Sequence, residues 1–130
     1  MADKEDPKVS KEDRIRVVES ASLLLASDAA TRFAAGLLAA LGHRRRIRIL
    51  QALAENGPMS VTELANRLGV SQSNVSQHLA VLARAGALTR KEEGTARLYS
   101  VRDDRLVEIL RLVEEFRLEH RDDLAEGVDA

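Results

Sequence analysis

The sequence predicts a mainly α-helical fold with one small β-hairpin, and three observations carry that prediction. Only Phe33, Tyr99 and Phe116 are aromatic, so a core must be assembled from Ala, Leu, Val and Ile. Charged residues make up 32% of the chain, which with that aliphatic set suits soluble helices. Apolar residues recur at helical spacing over most of the length, and only residues 88–101 show two short runs around a glycine turn. A chain of 130 residues is enough for one domain with a modest core.

Taken in order, residues 1–10 are polar, carry Pro7 and read as a disordered tail. Ser10 with Asp13 offers an N-cap for a helix over 11–26, whose apolar stripe is Ile15, Val18, Ala21 and Leu25. Ser27-Asp28 is a candidate break with Asp28 capping a second helix, although one continuous helix through this region fits the pattern as well. Residues 29–41, AATRFAAGLLAAL, are apolar almost all round, which is the mark of a buried helix. Its small residues allow another helix to approach closely. In a chain this short a second copy is the easiest cover, with burial inside the single subunit as the alternative.

The next helix covers HRRRIRILQALAE, with Ile47, Ile49, Leu50, Leu53 and Ala54 as its core face. Arg44 and Arg45 fall in its first turn, where the helix dipole disfavours cations by roughly 0.3–1 kcal/mol each. Such a placement suits an anionic partner, a DNA phosphate or an acid of a second subunit, or has no role at all, since the cost is small. Asn56-Gly57-Pro58 stops the helix.

Ser60 and Glu63 then form an S-x-x-E capping box, so a short helix begins at Val61 and buries Leu64, Ala65 and Leu68. Gly69 supplies a left-handed C-terminal residue, Val70 the apolar corner of the turn, and Ser71 the N-cap of the following helix. There Val75, Leu79 and Leu82 recur at i, i+4 and i+7 and face inward. At about 100° per residue, Ser73, Gln77 and Arg84 point away from the core, flanked by Gln72 and Ser76. A solvated helix face ordinarily carries Lys and Glu. A cluster of Gln72, Ser73, Asn74, Ser76 and Gln77 offers amides and hydroxyls that both donate and accept, which suits base edges in a major groove. The bland alternative is a polar helical hairpin that contacts nothing. Helix, glycine turn and polar-tipped helix in this order form a helix-turn-helix, the geometry that seats a recognition helix on DNA.

Gly86 ends that helix. Leu88–Lys91 and Ala96–Val101 read as strands around Glu93-Gly94-Thr95, and Arg90, Lys91 and Arg97 make the hairpin a cationic wing suited to phosphates or the minor groove. Asp104 is read as the cap of a last helix with Leu106, Ile109, Leu110, Val113 and Phe116 on one face and Glu108, Glu115 and Glu119 opposite, and residues 126–130 should fray. Charge follows the same division. Residues 1–42 hold 6 basic and 7 acidic side chains, residues 43–102 hold 10 and 4, and residues 103–130 hold 4 and 10. The net charge of −1 therefore hides a basic middle that coincides with the helix-turn-helix.

Helices followed by ALGHRRRIRIL, TELANRLGVSQSNVSQHLAVLARAGAL, RKEEGTARLYSV and a final helix resemble the ArsR/SmtB family of winged-helix transcriptional repressors, with SQSNVSQHLAVL the most specific stretch. The resemblance implies a winged helix-turn-helix over residues 29–121, preceded by an N-terminal helix over 11–28 and followed by an acidic tail over 122–130. It also implies a homodimer through the N- and C-terminal helices, bound to a palindromic double-stranded DNA operator. Gln72, Ser73, Asn74, Ser76 and Gln77 would read DNA from the helix, with Arg90, Lys91 and Arg97 contacting it from the wing. The dimer face would hold Leu25, Phe33, Leu37, Leu38, Leu41, Leu106, Leu110, Val113 and Phe116. His78, similar to a common family residue, is a packing histidine rather than a ligand.

Departures from the family pattern bear on the effector. Where metal-sensing members carry C-x-C-D-L, this chain reads Met59-Ser60-Val61-Thr62-Glu63-Leu64, and it has no cysteine at all. Against the D-x-H-x10-H-x2-H/E pattern of the last helix, Asp104 aligns with Leu106, Arg117 and His120, which is too few donors for zinc. The helix opening D-P-T-R is replaced by His43-Arg44-Arg45-Arg46. The expectation is a member with no metal site, no cofactor and no catalytic residues, since three histidines without cysteine or a phosphate loop assemble no acid–base or nucleophilic set. No feature identifies a small-molecule effector. Without an apolar span or signal-peptide core, the chain is expected in the cytoplasm, away from membranes. The competing reading is a winged-helix module that binds protein instead of DNA.

Overall fold

A computed structural model describes residues 10–24 and 27–124. The rest of the expected tail (residues 1–9), the expected helix end at Ala26, the interface candidate Leu25, the environment of Ala21 and the expected frayed end all lie outside the described residues. Two compact units divide the chain between Gly36 and Leu37.

In the first unit, α1 (Lys11–Leu24) is capped by Ser10, whose Oγ accepts the Asp13 N–H at 3.1 Å. Ile15, Val17 and Val18 are exposed. The cap of α2 (Asp28–Leu41) is Ser27 and not the expected Asp28: Ser27 Oγ accepts the Ala30 N–H, and its carbonyl takes the Thr31 N–H. Asp28 is the first helical residue, where a negative charge suits the dipole, and it pairs with Arg32 at 3.0 Å. Phe33 is 64% exposed.

The second unit takes up the end of α2. There Leu38 is 56% exposed, while Ala40 and Leu41 are buried. Within this one chain only the last two residues of the apolar helix are buried. His43 opens α3 (Arg44–Asn56), with Nδ1 accepting the Arg45 N–H at 3.0 Å. The buried face of α3 is Ile49, Leu50, Ala52 and Leu53. Ile47 is only half-buried and Ala54 is exposed, because the stripe is centred between Ile49 and Leu53 and both residues lie well around the helix from it. Gly57, at φ 79°, ends α3.

Both halves of the expected capping box are present in α4 (Val61–Leu68). Ser60 Oγ accepts the Glu63 N–H at 3.1 Å, and Glu63 Oε1 accepts the Ser60 N–H at 2.9 Å. Gly69 follows at φ 70°, ψ 35°, the left-handed conformation that costs an L side chain energy. Ser71 caps α5 (Gln72–Arg84) through the Asn74 N–H at 3.0 Å, and Val75, Leu79 and Leu82 are at most 1% exposed. Beyond α5 the Gly86 N–H bonds the Ala83 carbonyl and the Ala87 N–H the Leu82 carbonyl, the paired bonds of a Schellman end with Gly86 at φ 85°.

Strands β1 (Leu88–Glu93) and β2 (Ala96–Val101) pair antiparallel from Leu88–Val101 to Glu93–Ala96, leaving Gly94 and Thr95 as the turn. Met59 bridges Tyr99 through two backbone bonds of 3.1 and 2.8 Å, tying the hairpin to the segment between α3 and α4. That one-residue bridge carries no periodic pattern, and the sequence did not predict it. Arg102 adds a second anchor by donating to the carbonyls of Gly86 and Leu88. The cap of α6 (Asp104–Glu119) is Asp103 and not the expected Asp104, its Oδ1 accepting the Arg105 N–H at 2.8 Å.

The core joins Leu41, four residues of α3, Met59, Leu64 and Ala65, the three inward residues of α5, Ala87, Leu88 and Leu106. Two interface candidates are thereby corrected. Leu41 and Leu106 are 4% and 7% exposed and belong to this chain's own core, because each sits at the end of its helix nearest α3 and the hairpin strand. Leu37 and Leu110 are half-buried against the same core, while Phe33, Leu38, Val113 and Phe116 are exposed.

Candidate nucleic-acid interface

Everything that positions the exposed edge of α5 is local and legible. The αL turn at Gly69 swings the chain, Ser71 starts the helix, and three buried aliphatic residues fix its rotation. With Val75, Leu79 and Leu82 inward, Gln72, Ser73, Ser76 and Gln77 are all exposed. They form a ridge of amides and hydroxyls along the first turns of the helix. Asn74 stands apart from this group. It is half-buried, and its Oδ1 is a buried acceptor with no hydrogen-bond partner among the described residues.

On one flank of the ridge lies the hairpin. A cleft of about 540 Å³ separates them, lined by Ser76, Ala80, Ala83, Arg90, Tyr99 and Arg102 among others. The strand register divides the wing cations. Arg90 stands opposite Tyr99 and Arg97 opposite Glu92, so Arg90, Glu92 and Arg97 share one face and Lys91 takes the other. Glu92 Oε2 lies 3.5 Å from Arg97 Nε and 3.8 Å from Arg90 Nε, so one carboxylate partly neutralises both arginines. All three cations are exposed.

The other flank faces α3. There a cleft of about 450 Å³ is lined by His43, Arg44, Arg45, Arg48, Asn74 and His78. The His43 and His78 rings are 4.5 Å apart between centroids. His78 Nδ1 accepts from Arg46 Nη1 at 3.2 Å, and Arg46 also donates to the carbonyls of Ala39 and Ala40 at the end of α2. Burial, and then the charges of His43, Arg46 and Arg45, hold the His78 pKa below its ordinary value. His78 thus packs against His43 and Arg46. The sequence flagged Arg44 and Arg45 by their awkward place at a helix start, but gave no signal for Arg48 or His43, whose meeting with α5 is a tertiary event.

Among the described residues no group of three or more His, Cys, Asp and Glu side chains could hold a metal ion, and no helix is long and apolar enough to cross a membrane.

Residues 41–91 match the helix-turn-helix domain family. An uncharacterised HTH-type transcriptional regulator of Methanocaldococcus jannaschii is 42% identical over 82 residues, covering 63% of this chain and 92% of that protein. The crystal structure of Rv0081 of Mycobacterium tuberculosis superposes with a TM-score of 0.65 at 34% identity, covering 75% of this chain and 97% of that one. The solution structure of Mb0332 from Mycobacterium bovis is described as a homodimeric winged helix-turn-helix DNA-binding domain of a possible ArsR-family regulator. It gives a TM-score of 0.65 at 30% identity and covers 72% of this chain and 92% of that one. With these identities spread over nearly the whole length of each relative, the chain belongs to the ArsR/SmtB family of winged helix-turn-helix transcriptional regulators.

Proposed function

We propose that this regulator binds a palindromic double-stranded DNA operator as a homodimer and represses transcription there, acting in the cytoplasm without a metal or cofactor. Residues 29–121 are the DNA-binding module. The start of α5 enters the major groove, Gln72, Ser73, Ser76 and Gln77 meet base edges, and the hairpin contacts the backbone through Arg90, Lys91 and Arg97. Asn74 contributes from the side of the helix. The observation that carries this reading is the exposed ridge of amides and hydroxyls at the tip of α5, held rigidly by a buried face and flanked by cations on both sides. Occupation of an operator by a dimer would exclude polymerase from an overlapping promoter.

Selection of bound fragments from random DNA, followed by affinity measurement on the recovered site and on unrelated DNA, tests the reading. Gln77→Ala should weaken the selected site by about 1–3 kcal/mol and relax preference at one base position, while leaving unrelated DNA nearly unaffected. Equal loss on both would remove base reading from α5. A protein-binding module is told apart by salt, because counterion release makes DNA affinity fall steeply with ionic strength.

A further inference from the structure

We propose that the cleft between the start of α3 and α5 binds a phosphate group, and that this group is a backbone phosphodiester of the operator; the proposal rests on the DNA-binding reading above. Three arginines, Arg44, Arg45 and Arg48, line the cleft with His43, Asn74 and His78, and no acidic residue does. Among the described residues none of the three arginines makes an ion pair, whereas Arg16, Arg32, Arg67, Arg90, Arg97, Arg105, Arg111 and Arg117 all do. The neighbouring Arg46 shows what a structural arginine looks like here, with its guanidinium committed to two carbonyls and His78. Arg44, Arg45 and Arg48 have no such commitment. Among the described residues Arg48 reaches only Gln51, at 3.4 Å.

Concentrating unpaired positive charge beside a helix N-terminus is unfavourable in the free protein, and an oxyanion relieves it. Asn74 lines the same cleft, and its half-buried carboxamide adds an NH₂ donor to a lining that is otherwise cationic and imidazole. Position selects the source of the phosphate. Asn74 and His78 lie one turn apart on the side of α5, next to Gln77 on the ridge, while the hairpin cleft borders the ridge along Ser76 and Ala80. A helix seated in a major groove about 12 Å wide has a phosphate strand on each side. The wing serves one strand, and the α3 cleft serves the other.

The test compares the full chain with Arg44→Gln/Arg48→Gln, both at exposed positions, and with Arg45→Gln. Affinity for the selected operator is measured across salt concentrations, and thermal melting confirms that each variant is folded. Loss of one phosphate contact per subunit should make the slope of log K against log salt shallower by about 0.9 for each contact, about 1.8 for a dimer, with base preference unchanged. Operators carrying one neutral methylphosphonate at a time should weaken the parent protein at one symmetric pair of positions, and the variants should be insensitive there. Unchanged slopes, or equal sensitivity of parent and variants at every position, overturn the assignment. If inorganic phosphate binds the free parent protein, is lost in the variants, and competes with operator beyond a chloride control, the cleft is a free-anion site and the backbone assignment fails. A parent protein with no salt-dependent DNA binding at all would instead strike down the function on which the proposal is built.

Discussion

At the scale of single residues, His78 shows how a family-typical side chain can be structural. Its Nδ1 accepts from Arg46, and burial together with His43, Arg46 and Arg45 keeps its pKa below the ordinary histidine value. A histidine that ionises more easily unfolded than folded takes up protons on unfolding. Its contribution to stability is therefore intact above about pH 6.5 and is lost as the pH falls from there through the lower folded-state pKa. Urea titrations of the parent between pH 7 and pH 5 should show stability declining over that window, and His78→Gln should flatten the decline while keeping an acceptor for Arg46. An identical pH profile in the variant would mean that His78 does not sense its surroundings as argued. Gln77, one residue earlier, has the opposite character: it is exposed and makes no side-chain hydrogen bond or ion pair among the described residues, so its replacement should be felt by DNA and not by the fold.

Elements divide the work between fixed parts and adjustable ones. In the hairpin, one acid tempers two cations, since Glu92 lies between Arg90 and Arg97 on the same face. Exposed pairs of this kind add about 0–1 kcal/mol to stability, so their larger effect is on the charge shown to DNA. Glu92→Gln should leave the melting temperature nearly unchanged, raise affinity for operator and unrelated DNA alike, and steepen the salt dependence. A gain restricted to the operator would contradict a phosphate-facing wing. The helix-turn-helix and both strands were legible in the sequence because their signals are local: Ser60 with Glu63, Gly69, Ser71, and the i, i+4, i+7 spacing of Val75, Leu79 and Leu82. Both misplaced caps, Asp28 for Ser27 and Asp104 for Asp103, are one-residue slips between adjacent residues that can each cap a helix. The Met59–Tyr99 bridge, the Arg102 anchor and the arginine cleft were illegible, because each depends on residues brought together only by the fold. Leu41 and Leu106 failed for a related reason: an apolar stripe records that a face is covered, and not by which chain.

Across the molecule, that last ambiguity decides where the proposed dimer would join. The core is complete without a partner, yet Leu112, Val113 and Phe116 along α6 are 51%, 61% and 56% exposed, and Leu38 in α2 is 56% exposed. Phe33, in the first unit, is exposed as well. Exposed aliphatic and aromatic side chains recurring on one helix are costly in water and mark a covered face. Beside these apolar residues, Arg111 pairs with Glu108 and Glu115 and Arg117 with Glu114 within α6. Val113→Asp combined with Phe116→Asp should halve the mass in solution. It should barely alter the fold of the subunit, because neither residue belongs to the core. Leu106→Ala, by contrast, removes a core side chain and should cost about 2–5 kcal/mol whatever the oligomeric state. On DNA the paired substitution should abolish tight binding to the full palindrome and leave weak binding to a half-site, since two recognition helices then no longer act together. If the doubly substituted protein kept its parental mass and its affinity for the palindrome, α6 would not be the dimer face.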